Sequence, residues 1–121
     1  MNDRVLKGIV DKLSKKGIKI LLDEELVGES GIKHRFSLVI VKEKGKVVFD
    51  FLDHTKPSSI SALATYIKAF DVKAEKCFLI VEEKSELEEL KGVAQELSAI
   101  PLELVLEKDV QEVIEKLIES L

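Results

Sequence analysis

The sequence predicts an α/β domain: a mixed β-sheet flanked by helices, in the order αβββαβαβα. Three observations carry this. The hydrophobic period switches repeatedly between helical and strand values along the 121 residues. Two runs rich in Val, Ile and Phe are joined by Glu43-Lys44-Gly45, which is hairpin spacing. Two later apolar runs each follow a helical stretch, and strands separated in this way pair in parallel through right-handed crossovers.

Val5, Leu6, Ile9, Val10 and Leu13 recur on one side of a first helix, which Lys15-Lys16-Gly17 closes with cations and a glycine. Ile18 to Asp23 suits a strand, and Gly28-Glu29-Ser30-Gly31 is a break after it. The hairpin strands are expected over His34–Val41 and Lys46–Asp53. Pro57 is a good first-turn residue after the hydroxyl of Thr55, and Ile60, Leu63, Ala64, Ile67 and Phe70 give the stripe of the next helix. Cys77–Val81 is apolar on both faces, as a covered central parallel strand would be. Ser85 with Glu88 reads as a capping box, and Leu87, Leu90, Ala94 and Leu97 as a buried stripe that stops at Pro101. Leu102–Leu106 is the last strand. Val110, Val113, Ile114, Leu117, Ile118 and Leu121 mark a final amphipathic helix with Asp109 and Glu112 at its start.

The length fits one domain, residues 1–121, with a core large enough to close without staples. Charged residues make up 35% of the chain, a balance shared with heat-tolerant proteins. Cys77 has no partner for a disulfide and sits beside Phe78, Leu79 and Ile80, so it reads as a small buried hydrophobe in a reducing, cytoplasmic setting. No apolar run reaches the roughly 18 residues that cross a bilayer, and the N-terminus has no signal-peptide core, so neither membrane insertion nor secretion is expected.

Net charge is −4, unevenly spread: residues 84–121 carry four lysines against ten acids, a net of −6, which leaves +2 on residues 1–83. That mild excess falls short of the clustered charge of a dedicated nucleic-acid module.

The succession of a helix, a strand, a Gly/Ser break, the hairpin start Gly31-x-x-His34-x-Phe36, a helix and a strand is similar to archaeal members of the restriction-endonuclease-like PD-(D/E)xK nuclease superfamily. The resemblance covers roughly residues 4 to 82. It implies a nuclease core whose first hairpin strand bears an Asp just after the aromatic, and whose second bears an acidic residue, any residue, then Lys. The matching positions here are Ser37, Asp50 and Leu52.

Such a nuclease holds Mg²⁺ on carboxylates at about 2.0–2.1 Å and uses it to generate hydroxide, while the Lys orients water or stabilises charge. Strand alternation puts positions 50 and 52 on one face, which here offers one carboxylate and an aliphatic side chain. Asp50 is the candidate metal ligand, and Asp50, Ser37 and Lys68 are the catalytic candidates. Lys68 or Lys56 is the substitute lysine, since related families move that residue onto a neighbouring helix. Asp53 and His34 are expected to alternate away from the site. His34 and His54 have no Cys or His partners at zinc-ligand spacing. Gly28-Glu29-Ser30-Gly31 lacks the pattern of a nucleotide loop, and Thr55-Lys56-Pro57-Ser58-Ser59 reads as helix capping.

Three functions fit. In the first, a catalytically degenerate nuclease-like domain binds nucleic acid or a protein, and no cofactor is needed. In the second, a divalent-metal-dependent DNA nuclease uses Asp50 with relocated partners and takes Mg²⁺. The third is a small α/β assembly module unrelated to nucleases. If DNA or RNA is the partner, Lys33, Arg35, Lys42, Lys44 and Lys46 around the hairpin are the expected contacts. A homodimer is expected, because a sheet of this size leaves edge strands to cover.

Overall fold

A computed structural model describes residues 18–120 together with Lys7, Gly8 and Asp11. The first helix expected up to Lys16 lies outside the described residues, apart from those three positions, which are helical. From there the chain runs β1 (Lys19–Val27), β2 (Lys33–Lys42), β3 (Gly45–Phe51), α1 (Ser58–Asp71), β4 (Lys76–Val81), α2 (Lys84–Glu96), β5 (Leu102–Leu106) and α3 (Val110–Glu119), with a turn of 3₁₀ helix over Glu107–Asp109.

The five strands form one mixed sheet in the order β1-β2-β3-β4-β5. β1, β2 and β3 are an antiparallel meander, and β4 and β5 add in parallel. The hairpin turn is tight because Gly45 adopts φ +159°, at the limit of what a side chain tolerates. Both crossovers, through α1 and α2, place their helices on one face, where Ala62, Tyr66, Ala69 and Leu90 pack on Val39, Val48, Leu52, Cys77 and Leu79. The other face buries Leu38, Ile40, Phe49, Phe78 and Ile80 with Val110, Ile114 and Ile118 of α3. Phe49 and Phe78 stack there across the β3–β4 pair, with ring centroids 4.6 Å apart. Cys77 is fully buried, and burial, with some help from Asp50, pushes its thiol up to about 12.

Three local expectations are corrected. Helix α1 does not bury the Ile60, Leu63, Ile67 and Phe70 stripe; its buried residues are Ser61, Ala62, Thr65, Tyr66 and Ala69. These side chains are mostly small and let the helix approach the sheet closely. Tyr66 reaches further, and its hydroxyl accepts the N–H of Ala99 at 2.7 Å. Helix α2 starts at Lys84, and its capping box is Glu83 with Glu86, not Ser85 with Glu88: Glu86 folds back to accept the N–H groups of Glu83 and Glu82 at 3.0 and 3.1 Å. Thr55 caps no helix either. Its hydroxyl donates to Asp53 at 2.6 Å, closing a turn before α1.

Candidate functional site

Ser37 and Asp50 lie opposite each other, next to the pairing of Leu38 with Phe49 in the β2–β3 ladder. Asp50 shares its sheet face with Val48 and Leu52, the face covered by α1. Docking of that helix brings Lys68 in from above. The three catalytic candidates therefore converge on one carboxylate.

The geometry leaves that carboxylate fully engaged. Oδ1 accepts the Ser37 hydroxyl at 2.9 Å and the Phe51 N–H at 3.0 Å, and Oδ2 accepts Lys68 Nζ at 2.7 Å. Lys68 also donates to the carbonyl of Arg35 at 2.7 Å and lies over the Phe36 ring, 4.8 Å from its centroid. The side chains of Asp50 and Lys68 are 18% and 28% exposed, so the pair is shielded from bulk water. Leu52, at the position where the nuclease resemblance implies a lysine, is buried in the core.

A cavity of about 290 Å³ opens beside the pair, lined by Asp50, Asp53, Lys56, Ser61, Thr65 and Lys68 among others. Asp53 was expected on the far side of the strand. It reaches this cavity because β3 ends at Phe51 and the chain turns, with the Asp53 N–H donating to Ser61 Oγ at 2.8 Å. Its own carboxylate accepts the Thr55 N–H and hydroxyl at 3.0 and 2.6 Å, and these bonds hold it below the usual carboxylate range. Lys56 stands 3.9 Å from it. Two carboxylates thus face two ammonium groups around the cavity, with no net charge among them. The sequence held a signal for Asp53, since an Asp two residues before a Thr is an Asx-turn pattern that ends a strand.

Mg²⁺ requires several oxygen ligands in near-octahedral array. Asp50 supplies one carboxylate with both oxygens already bonded, Ser37 a neutral hydroxyl, and Lys68 a positive charge where a cation would sit. Among the described residues no group of three His, Cys, Asp or Glu side chains is placed to hold a metal ion. The residues present do not fit the metal that the nuclease resemblance implies.

His34 belongs to a different cluster. Its Nε2 lies 2.7 Å from Asp71 Oδ2, which also accepts the Ser30 hydroxyl at 2.6 Å, while Asp71 Oδ1 accepts the Ser30 N–H at 3.0 Å. The Ser30 hydroxyl, then His34, hold the Asp71 carboxyl below its ordinary range. Because Ser30 and His34 both point at the carboxylate and not at each other, the trio has no nucleophile–base contact. It latches the β1–β2 turn to the end of α1.

The five candidate phosphate contacts do not form one patch. Arg35 pairs with Glu25 at 2.6 Å and Asp23 at 3.3 Å, and Lys42 pairs with Glu75 at 2.8 Å. Lys33, Lys44 and Lys46 have no ion pair among the described residues, but Lys33 and Lys42 stand at opposite ends of β2, about 30 Å apart at strand rise.

A scan against protein-family models finds no match, and neither does a search of curated proteins. Among solved structures the chain resembles the crystal structure of AF1548, a protein of unknown function, with a TM-score of 0.52 at 14% identity. The likeness covers 95% of this chain and 66% of the neighbour, so the chain spans just under two thirds of that protein's length. At this identity the likeness is one of fold alone.

Proposed function

We propose that this chain is a nuclease-like scaffold without nuclease chemistry, and that it acts by binding a macromolecule, a protein in preference to nucleic acid. The observation that carries this reading is the closed state of Asp50: Ser37, the Phe51 N–H and Lys68 take both of its oxygens. A carboxylate neutralised by an ammonium 2.7 Å away has little left to offer a divalent cation. Protein is favoured over DNA or RNA because two of the five hairpin cations are already paired with acids and the others are dispersed, whereas α1 turns a stripe of large apolar side chains to solvent.

The test is incubation of the purified chain with single-stranded, duplex and branched DNA in Mg²⁺ or Mn²⁺, alongside retention of the same DNA across a salt series. The expected result is no metal-dependent cleavage, with at most weak retention that disappears by about 0.15 M salt. Cleavage that Asp50→Ala abolishes would overturn the reading. It would favour a metal-dependent nuclease with a relocated lysine, an alternative supported by one observation, that Lys68 does reach Asp50 from the neighbouring helix. Retention that persists at higher salt and falls on charge reversal of Lys33, Lys44 or Lys46 would instead make nucleic acid the partner.

A further inference from the structure

The sheet has an edge strand on each side. β1, at one edge, is interrupted by Asp23 at φ +48° and runs exposed and acidic from Asp23 to Glu25, features that discourage an added strand. β5, at the other edge, reads Leu-Glu-Leu-Val-Leu, with no proline, lysine or positive φ to guard it.

Two hydrogen bonds fix which way the main chain of β5 faces. The Leu52 N–H donates to the Ile80 carbonyl at 2.9 Å, so Ile80 faces β3, and the Cys77 N–H donates to the Pro101 carbonyl at 3.0 Å, so Cys77, Leu79 and Val81 face β5. In a parallel ladder each of these residues bonds the two β5 residues that flank its partner. Pro101, Glu103 and Val105 therefore point inward, and Leu102 and Leu104 turn their N–H and C=O groups outward. Among the described residues no further strand or turn pairs with these outward groups.

Beside this edge a groove of about 330 Å³ runs between β5 and α2, lined by Leu87, Glu88, Lys91, Ala94, Leu102 and Leu104 among others. Its floor is apolar, because Leu102 and Leu104 share the α2 face of the sheet with Leu87 and Ala94.

We infer that β5 is the docking edge for an extended segment of a partner protein, which adds as a further strand, sets alternate aliphatic side chains into the groove and carries lysines or arginines between them. The inference rests on the binding reading and deepens it by naming the surface and the chemistry of the partner. The outward groups recur every second residue, and so do the side chains over the groove, so one extended segment meets both at once. A docked helix keeps its main-chain groups bonded to itself and would leave the edge unpaired.

The cations follow from charge. Residues 84–121, which supply α2, β5 and α3, carry a net of −6, and these two helices pack on either face of the sheet beside the edge. A basic segment is drawn to such a field. Along the groove Lys91 is offset by Glu88, and Glu103, on the opposite face of the strand, is tied to Lys76 at 2.6 Å. A second copy is the wrong occupant: pairing β5 with β5 would set one acidic half of the chain against another.

The probe is a set of fluorescein-labelled seven-residue peptides that alternate lysine with valine, leucine, isoleucine or phenylalanine, titrated against the whole chain by fluorescence anisotropy. The expected result is saturable binding of at least one peptide below about 1 mM, weakened at least about 10-fold when its lysines are replaced by glutamates. N-methylation of alternate amides, made in both phases, should cost at least about 10-fold in the one phase that faces β5. In amide exchange followed by NMR, the Leu104 N–H should be unprotected in the free chain and protected by bound peptide, while the β1 amides stay unchanged. Failure of every peptide to bind would overturn the inference. So would binding that glutamates or both N-methylated forms leave intact, or protection on β1 or α1 in place of β5. Protection of Leu104 that rises with protein concentration in the absence of peptide would make a second copy the occupant, and would overturn it too. Metal-dependent DNA cleavage would sink the binding reading itself, whereas a chain that neither cuts DNA nor takes the peptides would sink this docking edge alone.

Discussion

Replacing Lys68 by Met tests how tightly the Asp50 carboxylate is held. Met keeps an unbranched side chain and removes the ammonium that lies over the Phe36 ring, 2.7 Å from Asp50 Oδ2 and 2.7 Å from the Arg35 carbonyl. Exposed ion pairs contribute about 0–1 kcal/mol, and losing one partner of a buried pair costs about 3–5 kcal/mol. With side chains 18% and 28% exposed, this pair falls between those limits. Asp50 keeps the Ser37 hydroxyl and the Phe51 N–H, so the loss should be about 2 kcal/mol, or roughly 7 °C in Tm for a domain of this size. The reverse change, Asp50→Asn, should cost less, about 1 kcal/mol, because the amide can still accept from Ser37 and the flexible lysine can swing toward water.

The decisive measurement is the double-mutant cycle in urea. In the Lys68→Met background the unpaired carboxylate is itself the burden, so adding Asp50→Asn should recover stability, with a coupling energy of about 1–1.5 kcal/mol. Additive costs, or a Lys68→Met variant within about 0.5 kcal/mol of the wild type, would mean that Asp50 is solvated well enough to stand without its ammonium. The site would then be electrostatically open.

Gly28→Ala should lower Tm by about 5 °C, because a Cβ there would overlap the Asp71 carboxylate and force the latch open. In an Asp71→Ala background the same change should cost much less, and equal losses in both backgrounds would refute the clash. Bonding to Glu86 at 2.6 Å, the largest cause, raises the pKa of His54 above its usual value. Burial alone would push Glu86 up, but the Glu83 N–H, His54 and the Glu82 N–H together pull it down. A group whose folded pKa is raised stabilises below its unfolded value, so the His54 contribution is complete below about pH 6.5 and disappears as pH rises through the folded pKa. NMR titration of His54 should show a midpoint that drops in Glu86→Gln, and an unchanged midpoint would dismiss the pair. The Cys77 thiol, pushed up to about 12 by burial, should resist a thiol reagent at pH 8 in the native state and react only on unfolding. Rapid native labelling would contradict its burial.

The described strands and helices could be placed along the sequence because the hydrophobic period separates helix from strand, and the parallel placement of β4 and β5 followed from the helix that precedes each. Helix ends were less accessible. Glu86 caps α2 because it can fold back on the Glu82 and Glu83 N–H groups, and a Ser/Glu pair two residues further on gave a competing signal of equal local merit. Ser37, Asp50 and Lys68 could be named one by one. Their meeting could not, since 18 residues separate Asp50 from Lys68 and only the docking of α1 on the Val48–Asp50–Leu52 face sets the distance.

The orientation of α1 was the feature least open to sequence reasoning. A hydrophobic stripe identifies the apolar side of a helix, and that is a different property from the side that packs best. Ser61, Ala62, Thr65 and Ala69 are less apolar than Ile60, Leu63, Ile67 and Phe70, but they are small enough to seat the backbone close to the sheet. Close seating in turn lets a lysine at the edge of that face reach a carboxylate on the strand below, as Lys68 reaches Asp50. Rotating α1 to bury its large side chains would lift it from the sheet, pull Lys68 out of reach and leave Asp50 unpaired beneath an apolar helix, where desolvating a charge is most costly. The small inner face, the ion pair and the exposed outer stripe therefore follow from one choice of helix rotation. That choice is also why the chain presents its exposed apolar stripe on the side of α1 facing away from the candidate site.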